Sequence, residues 1–129
     1  MGELTAVLER LYQAPNSAQG VPAMLAICDP AVEFWPAGLW LDNDGVRRGH
    51  DEVADFFRQV DEAFGEFHFD AERFEERGDA VAVDVRFVVR GRHSGIAESR
   101  TMGHVWRFRD GLAVEIRVFN SAEEAFAAL

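Results

Sequence analysis

The chain is short of three things: cysteine, positive charge and long apolar runs. Cys28 stands alone, so there is no intrachain disulfide and no thiolate cluster for zinc or iron–sulfur, and a reducing cytosol is the simplest setting. Thirteen Lys and Arg face 23 Asp and Glu, a formal net charge of −10. That sign is wrong for attraction to phosphate backbones or anionic lipid, so neither nucleic acid nor a membrane is expected as a partner. No stretch approaches the roughly 20 apolar residues of a membrane span. The opening "MGELTAVLERLY" alternates apolar and charged groups, unlike a secretory leader. No G-x-S-x-G is present, and Gly91 and Gly95 do not make a phosphate loop. His50, His68, His93 and His104 lack metal-ligand spacing, and "LDNDG" lacks the third alternating ligand and distant glutamate of a calcium loop. No metal and no cofactor are therefore expected.

What is present is core-forming material: 48% hydrophobic residues, with 11 Phe and 3 Trp. In 129 residues without repeat or linker this fits one domain, residues 1–129, which needs no staples to fold. Leu4, Val7, Leu8 and Leu11 mark an amphipathic helix over residues 3–13, with Tyr12 extending its stripe. "APNSAQG" breaks it. Pro22 suits the first turn of a second helix, which carries Val21, Met24, Leu25 and Cys28 and ends at Asp29 and Pro30. "AVEFWP" reads as a strand and "PAGLWLDNDGVRRG" as a loop. Val53, Phe56, Phe57, Val60 and Phe64 then form the stripe of a third helix with an aromatic inner face.

After Gly65 the period changes from helical to alternating. Residues 66–77, 80–92, 98–109 and 112–120 read as four strands joined at Gly78-Asp79, Ser94-Gly95 and Asp110-Gly111, an antiparallel meander. Ser121 and Glu124 have capping-box spacing before a short final helix. The order calls for an α+β fold with helices on one face of the sheet. Val81, Val83, Val85, Phe87 and Val89 share one side of their strand; Met102, His104, Trp106 and Phe108 share one side of theirs. Turning the apolar sets inward puts His104 and Asn120 beneath the helices.

That layout, with "GVRRGHDEVADFFRQV" upstream and "HVWRFRDGLAVEIRVFNSAEEAF" after the meander, resembles the SnoaL-like branch of the nuclear-transport-factor-2-like superfamily across Leu4 to Leu129. The resemblance implies a cone: a curved antiparallel sheet wrapping three helices, with a pocket at the open end and a short C-terminal helix. It also implies a small-molecule ligand, in a family that holds isomerases, polyketide cyclases, dehydratases and epoxide hydrolases beside non-enzymatic dimeric modules. At the position of His104, ketosteroid isomerases and SnoaL-type cyclases commonly keep an acid that hydrogen-bonds or protonates the substrate. The isomerase base falls on Phe34 or Trp35, neither of which moves a proton, and the isomerase tyrosine falls near Tyr12.

His104 is the expected catalytic residue, a buried imidazole whose lost hydration leaves it a neutral base. It is equally open to reading as a core histidine bonded to Tyr12 or a backbone carbonyl. Tyr12, Phe34, Trp35, Trp40, Phe57, Trp106 and Asn120 complete the expected substrate-binding set, the aromatics near the Gly-rich loop as a mouth and Asn120 as an inward amide needing partners. The outer face mixes Asp84, Arg86, Arg107, Glu115 and Arg117 with Val88, Val105 and Phe119. Apolar islands among paired charges suit a homodimer through that face.

Overall fold

The computed structural model describes residues 2–13, 17–36, 45–64, 66–90 and 97–129. Its elements run α1 (Glu3–Tyr12), α2 (Ser17–Ala26), β1 (Cys28–Trp35), β2 (Arg47–Arg48), α3 (Gly49–Phe64), β3 (Glu66–Arg77), β4 (Ala80–Arg90), β5 (Ala97–Arg109), β6 (Leu112–Phe119) and α4 (Ala122–Ala127). The strands form one curved, unclosed sheet in the order β2-β1-β6-β5-β4-β3. The α+β cone and its meander stand as expected. Asp110 and Gly111, at φ 53° and 83°, supply the paired left-handed residues of the tight turn between β5 and β6.

Three expectations change. Cys28 opens β1 instead of closing α2, and α2 starts a turn earlier, so that Pro22 lies inside it. The sheet is mixed, because β1 lies parallel to β6, with Phe34 beside Ile116 and Trp35 beside Arg117. Part of the loop read over 36–49 pairs as β2 against Glu33 and Phe34. "LDNDG" through Asp44, the Gly65 break, His93 and the Ser94-Gly95 turn lie outside the described residues.

Leu8 of α1, Met24 of α2 and Val53, Phe56, Phe57 and Val60 of α3 pack on the inner row of the sheet: Val81, Val83, Val85, Phe87, Met102, Trp106, Phe108 and Ile116. Burying these apolar surfaces is the main force holding helices to sheet. A bulge between Ala71 and Arg73 resets the alternation of β3. Phe67, Phe69 and Ala71 face Val89, Phe87 and Val85, and beyond the bulge Phe74 and Glu76 face Val83 and Val81. Glu76 thus reaches the start of α1, where its Oε1 accepts from Thr5 N–H at 2.9 Å and Thr5 Oγ at 2.6 Å. Gly2, at the N-cap, has no side chain to do this.

The outer face is not free as the sequence suggested. Ser121 accepts from Glu124 N–H at 3.1 Å, capping α4 as the Ser-x-x-Glu spacing requires. The helix folds back so that Ala125 packs on Ala82 and Val105, with Phe119 and Phe126 beside them. Val105 is 1% exposed. Val105 and Phe119, two of the apolar islands that argued for a dimer, are therefore packed against the chain's own C-terminal helix. Gly103 makes this possible: a Cβ there would stand 2.5 Å from Ala125 Cβ and 2.7 Å from Ser121 O.

Candidate functional site

Residues 104 and 106 of β5 share its inner face, one pleat apart. The last residue of α1 reaches both. Tyr12 Oη lies 2.6 Å from His104 Nδ1 and accepts from Trp106 Nε1–H at 2.9 Å. The Tyr12 ring lies 5.9 Å from that of His104 at 27°, and meets Trp106 edge-on at 6.3 Å. Phe69 closes the other side of the imidazole at 5.4 Å, and Phe74 contacts Tyr12 at 5.8 Å.

His104 is 7% exposed. Burial drives its pKa down from 6.5 to about 3, so the imidazole is neutral at physiological pH. Burial likewise raises the Tyr12 hydroxyl well above the ordinary tyrosine value, against the smaller opposing effect of the Trp106 N–H. Both groups are hydrogen-bonding partners in uncharged form. His104 Nε2 has no hydrogen-bond partner among the described residues, and the one fully buried side-chain nitrogen or oxygen without a partner there is Trp35 Nε1. Nε2 is therefore not sealed, and it is the free polar atom of the cluster. The interior around it is otherwise apolar: Thr5 and His104 are the buried polar side chains among the described residues.

The structure brings together three of the residues named from sequence: Tyr12, His104 and Trp106. Phe57 connects to them through Phe69, 6.4 Å away, and Phe34 packs at 5.4 Å against Phe57 and 5.1 Å against Phe56, as core. Trp35 belongs elsewhere. With Phe34 turned inward, its neighbour points to the outer face, where the Arg117 guanidinium lies 4.2 Å above the ring. Asn120 is exposed beyond the end of β6, not beneath the helices. Trp40 lies outside the described residues. Phe69 and Phe74 are the neighbours that sequence reasoning missed.

A groove of about 960 Å³ runs between α1 and β3, with Thr5, Glu9, Tyr12, Asp70 and Phe74 in its walls. His104 is not in that wall; Tyr12 and Phe74 are shared by groove and cluster. His68 Nδ1 and Asp70 Oδ1 pair at 2.5 Å beside it. Among the described residues no group of three His, Cys, Asp or Glu is placed to hold a metal ion, and no helix is long and apolar enough to cross a membrane.

No curated protein matches the chain. Two Burkholderia structures superpose closely. An NTF2-like protein of unknown function from Burkholderia pseudomallei is 26% identical, with a TM-score of 0.81 over 98% of this chain and 97% of that one. An NTF2-like protein from Burkholderia thailandensis is also 26% identical, with a TM-score of 0.77 over 99% and 97%. TerC, co-crystallised with polyporic acid, shares the fold at 22% identity, with a TM-score of 0.77 over 97% and 95%. The SnoaL-like domain model matches residues 8–116, and the chain is a member of the SnoaL-like family with the nuclear-transport-factor-2-like fold.

Proposed function

We propose that the protein binds a small, mostly apolar or aromatic cyclic molecule at His104, and that it promotes a cofactor-independent proton transfer of the isomerase, cyclase or dehydratase kind. The observation that carries this is the state of His104: a buried neutral imidazole with Nδ1 held by Tyr12 and Nε2 unpartnered. A donor preorganised in an apolar surround stabilises the oxygen where charge develops as a neighbouring C–H proton passes to solvent water, the proton acceptor available where the cluster supplies no carboxylate. The chain contains no lysine, so a ketone is not captured as an imine on a lysine side chain.

His104→Ala and His104→Gln, assayed for binding and turnover on a panel of cyclic ketones and polyporic acid, test the reading. Loss of both activities in the alanine variant, with thermal unfolding still cooperative, supports it; unchanged turnover removes His104 from the mechanism. One observation favours a second, non-catalytic reading: Phe34 is buried core where an isomerase base would stand, and no carboxylate is buried among the described residues. Binding that depends on His104 without any turnover selects that reading. We also place a homodimer contact on the part of the outer face beyond α4, where Asp84, Arg86, Glu115 and Arg117 mix signs. Light scattering showing a monomer at micromolar concentration would remove it.

A further inference from the structure

The Tyr12 hydroxyl has one proton and two lone pairs. Trp106 Nε1–H takes one lone pair at 2.9 Å, and His104 Nδ1 stands at 2.6 Å. If Nδ1 is the acceptor, indole N–H bonds to the phenol oxygen and phenol O–H to the imidazole, and the one donor left over is Nε2–H, on the atom that is not sealed. If Nδ1 carried the proton, the phenol oxygen would receive two donors and its own hydrogen would find no acceptor among the described residues. Either tautomer leaves one donor over, and leaving it at the unsealed Nε2, where water or a ligand can accept from it, costs less than leaving the phenol hydrogen unmatched inside the cluster, so the row runs in one direction. The ring proton of His104 is thereby placed on Nε2, the atom left without a partner. Tyr12, at the position where the family resemblance expects a group that orients substrate, has no proton left to offer a ligand.

We infer that Tyr12 is a positioning residue that locks His104 as an Nε2–H donor, and that the site selects ligands by an uncharged carbonyl oxygen, ketone or quinone, over the carboxylate of the same ring system. This rests on the reading above that a ligand binds at His104. The selectivity follows from what surrounds the donor. No arginine is buried among the described residues, and the aromatic rings of Phe69, Phe74 and Trp106 offer no second donor to a charge except the indole N–H already given to Tyr12. A ketone loses little hydration on entering such a site and gains one hydrogen bond. A carboxylate loses far more and meets no cation to restore it.

Two measurements on the full chain test this. Long-range nitrogen–proton NMR of the imidazoles reports which nitrogen of His104 is protonated, and Tyr12 is the single tyrosine, so Tyr12→Phe removes the one phenol signal. The wild type is expected to show Nε2–H alone, and Tyr12→Phe a mixture of tautomers. Titration at pH 7 with 2-acetylnaphthalene and 2-naphthoate compares a ketone with a carboxylate on one ring system. The ketone is expected to bind at least about tenfold more tightly. Its affinity is expected to fall about two- to threefold in Tyr12→Phe, as the donor tautomer becomes a fraction of the population. A wild-type Nδ1–H tautomer, or an unchanged tautomer in Tyr12→Phe, overturns the lock. Naphthoate binding as tightly as the ketone overturns the selectivity while leaving a ligand at His104. Binding of neither probe overturns the proposed function, and the selectivity with it.

Discussion

Lowering the pH should destabilise this protein through His104 specifically, and the size of the effect follows from the cluster. Nε2 already carries a proton, so a second must go to Nδ1, the atom that accepts the Tyr12 O–H at 2.6 Å. Protonation there puts a charge in an apolar interior and turns an acceptor into a donor facing a donor. The folded state therefore holds the imidazole neutral down to about pH 3, whereas the unfolded chain binds a proton near 6.5. Between those values the unfolded state binds more protons, so stability falls as the pH falls, by about 1.4 kcal/mol per pH unit. From pH 6.5 to pH 5 the loss attributable to this residue is about 2 kcal/mol. Urea denaturation of the wild type and of His104→Gln at pH 7, 6 and 5 isolates it, because the chain's acids titrate in both proteins. The two stability curves should converge as the pH is lowered. Parallel curves over that range would refute the claim that the fold excludes the imidazolium.

Three further perturbations probe the frame that carries the site. Hydrogen bonds from Thr5 hold the Glu76 carboxyl below the ordinary 4.5, so its contribution is complete above that value and fades as the pH drops below it. Glu76→Gln should cost about 1 kcal/mol at pH 7, with the difference from wild type shrinking as the pH falls below 4.5, as read by urea midpoints. Ser121→Ala should cost about 1 kcal/mol and speed amide exchange in α4, because the Glu124 N–H loses its acceptor. Gly103→Ala should cost about 1–3 kcal/mol from overpacking, although its φ is not positive. Ala125→Gly should recover part of that cost in a double-mutant cycle. Independent, additive effects of these two substitutions would mean that the helix does not sit on Gly103.

Much of the fold was legible because its signals are local. Period-2 alternation with Asp-Gly and Gly-Asp punctuation placed β3, β4, β5 and β6 to within two residues, and the aromatic stripe of residues 53–64 placed α3. What escaped depends on partners distant in sequence. Nothing in "CDPAVEFW" says that its partner will be β6 or that the two strands run parallel. Cys28 is apolar and suits either a helix end or a strand start, and pairing with Ala113 decides for the strand. Val105 and Phe119 read as an exposed apolar patch because the return of α4 over them is a tertiary event.

The site divides along the same line. His104 and Trp106 were readable from alternation, and Tyr12 from its place at the edge of a helical stripe. Trp35 was misplaced because a Phe-Trp pair must split between faces and the parity is set by Ile116 across the ladder. Asn120 was misplaced because alternation was carried past the end of β6, where there is no sheet to bury it. Phe69 and Phe74 were invisible together, since residues five apart in a regular strand face opposite sides and only the bulge at 71–73 reunites them. β5 then ties these features to each other. Its inner face presents His104 to Tyr12, and the adjacent Gly103 presents bare backbone to α4 on the outer face. An added Cβ at 103 must displace either a helix of six residues or a strand hydrogen-bonded on both sides to β4 and β6. The helix is the weaker partner, so in Gly103→Ala the His104 nitrogen signals should stay where they are while α4 amide protection falls. A shifted His104 signal would instead show that the outer-face helix helps to set the geometry of the inner-face donor.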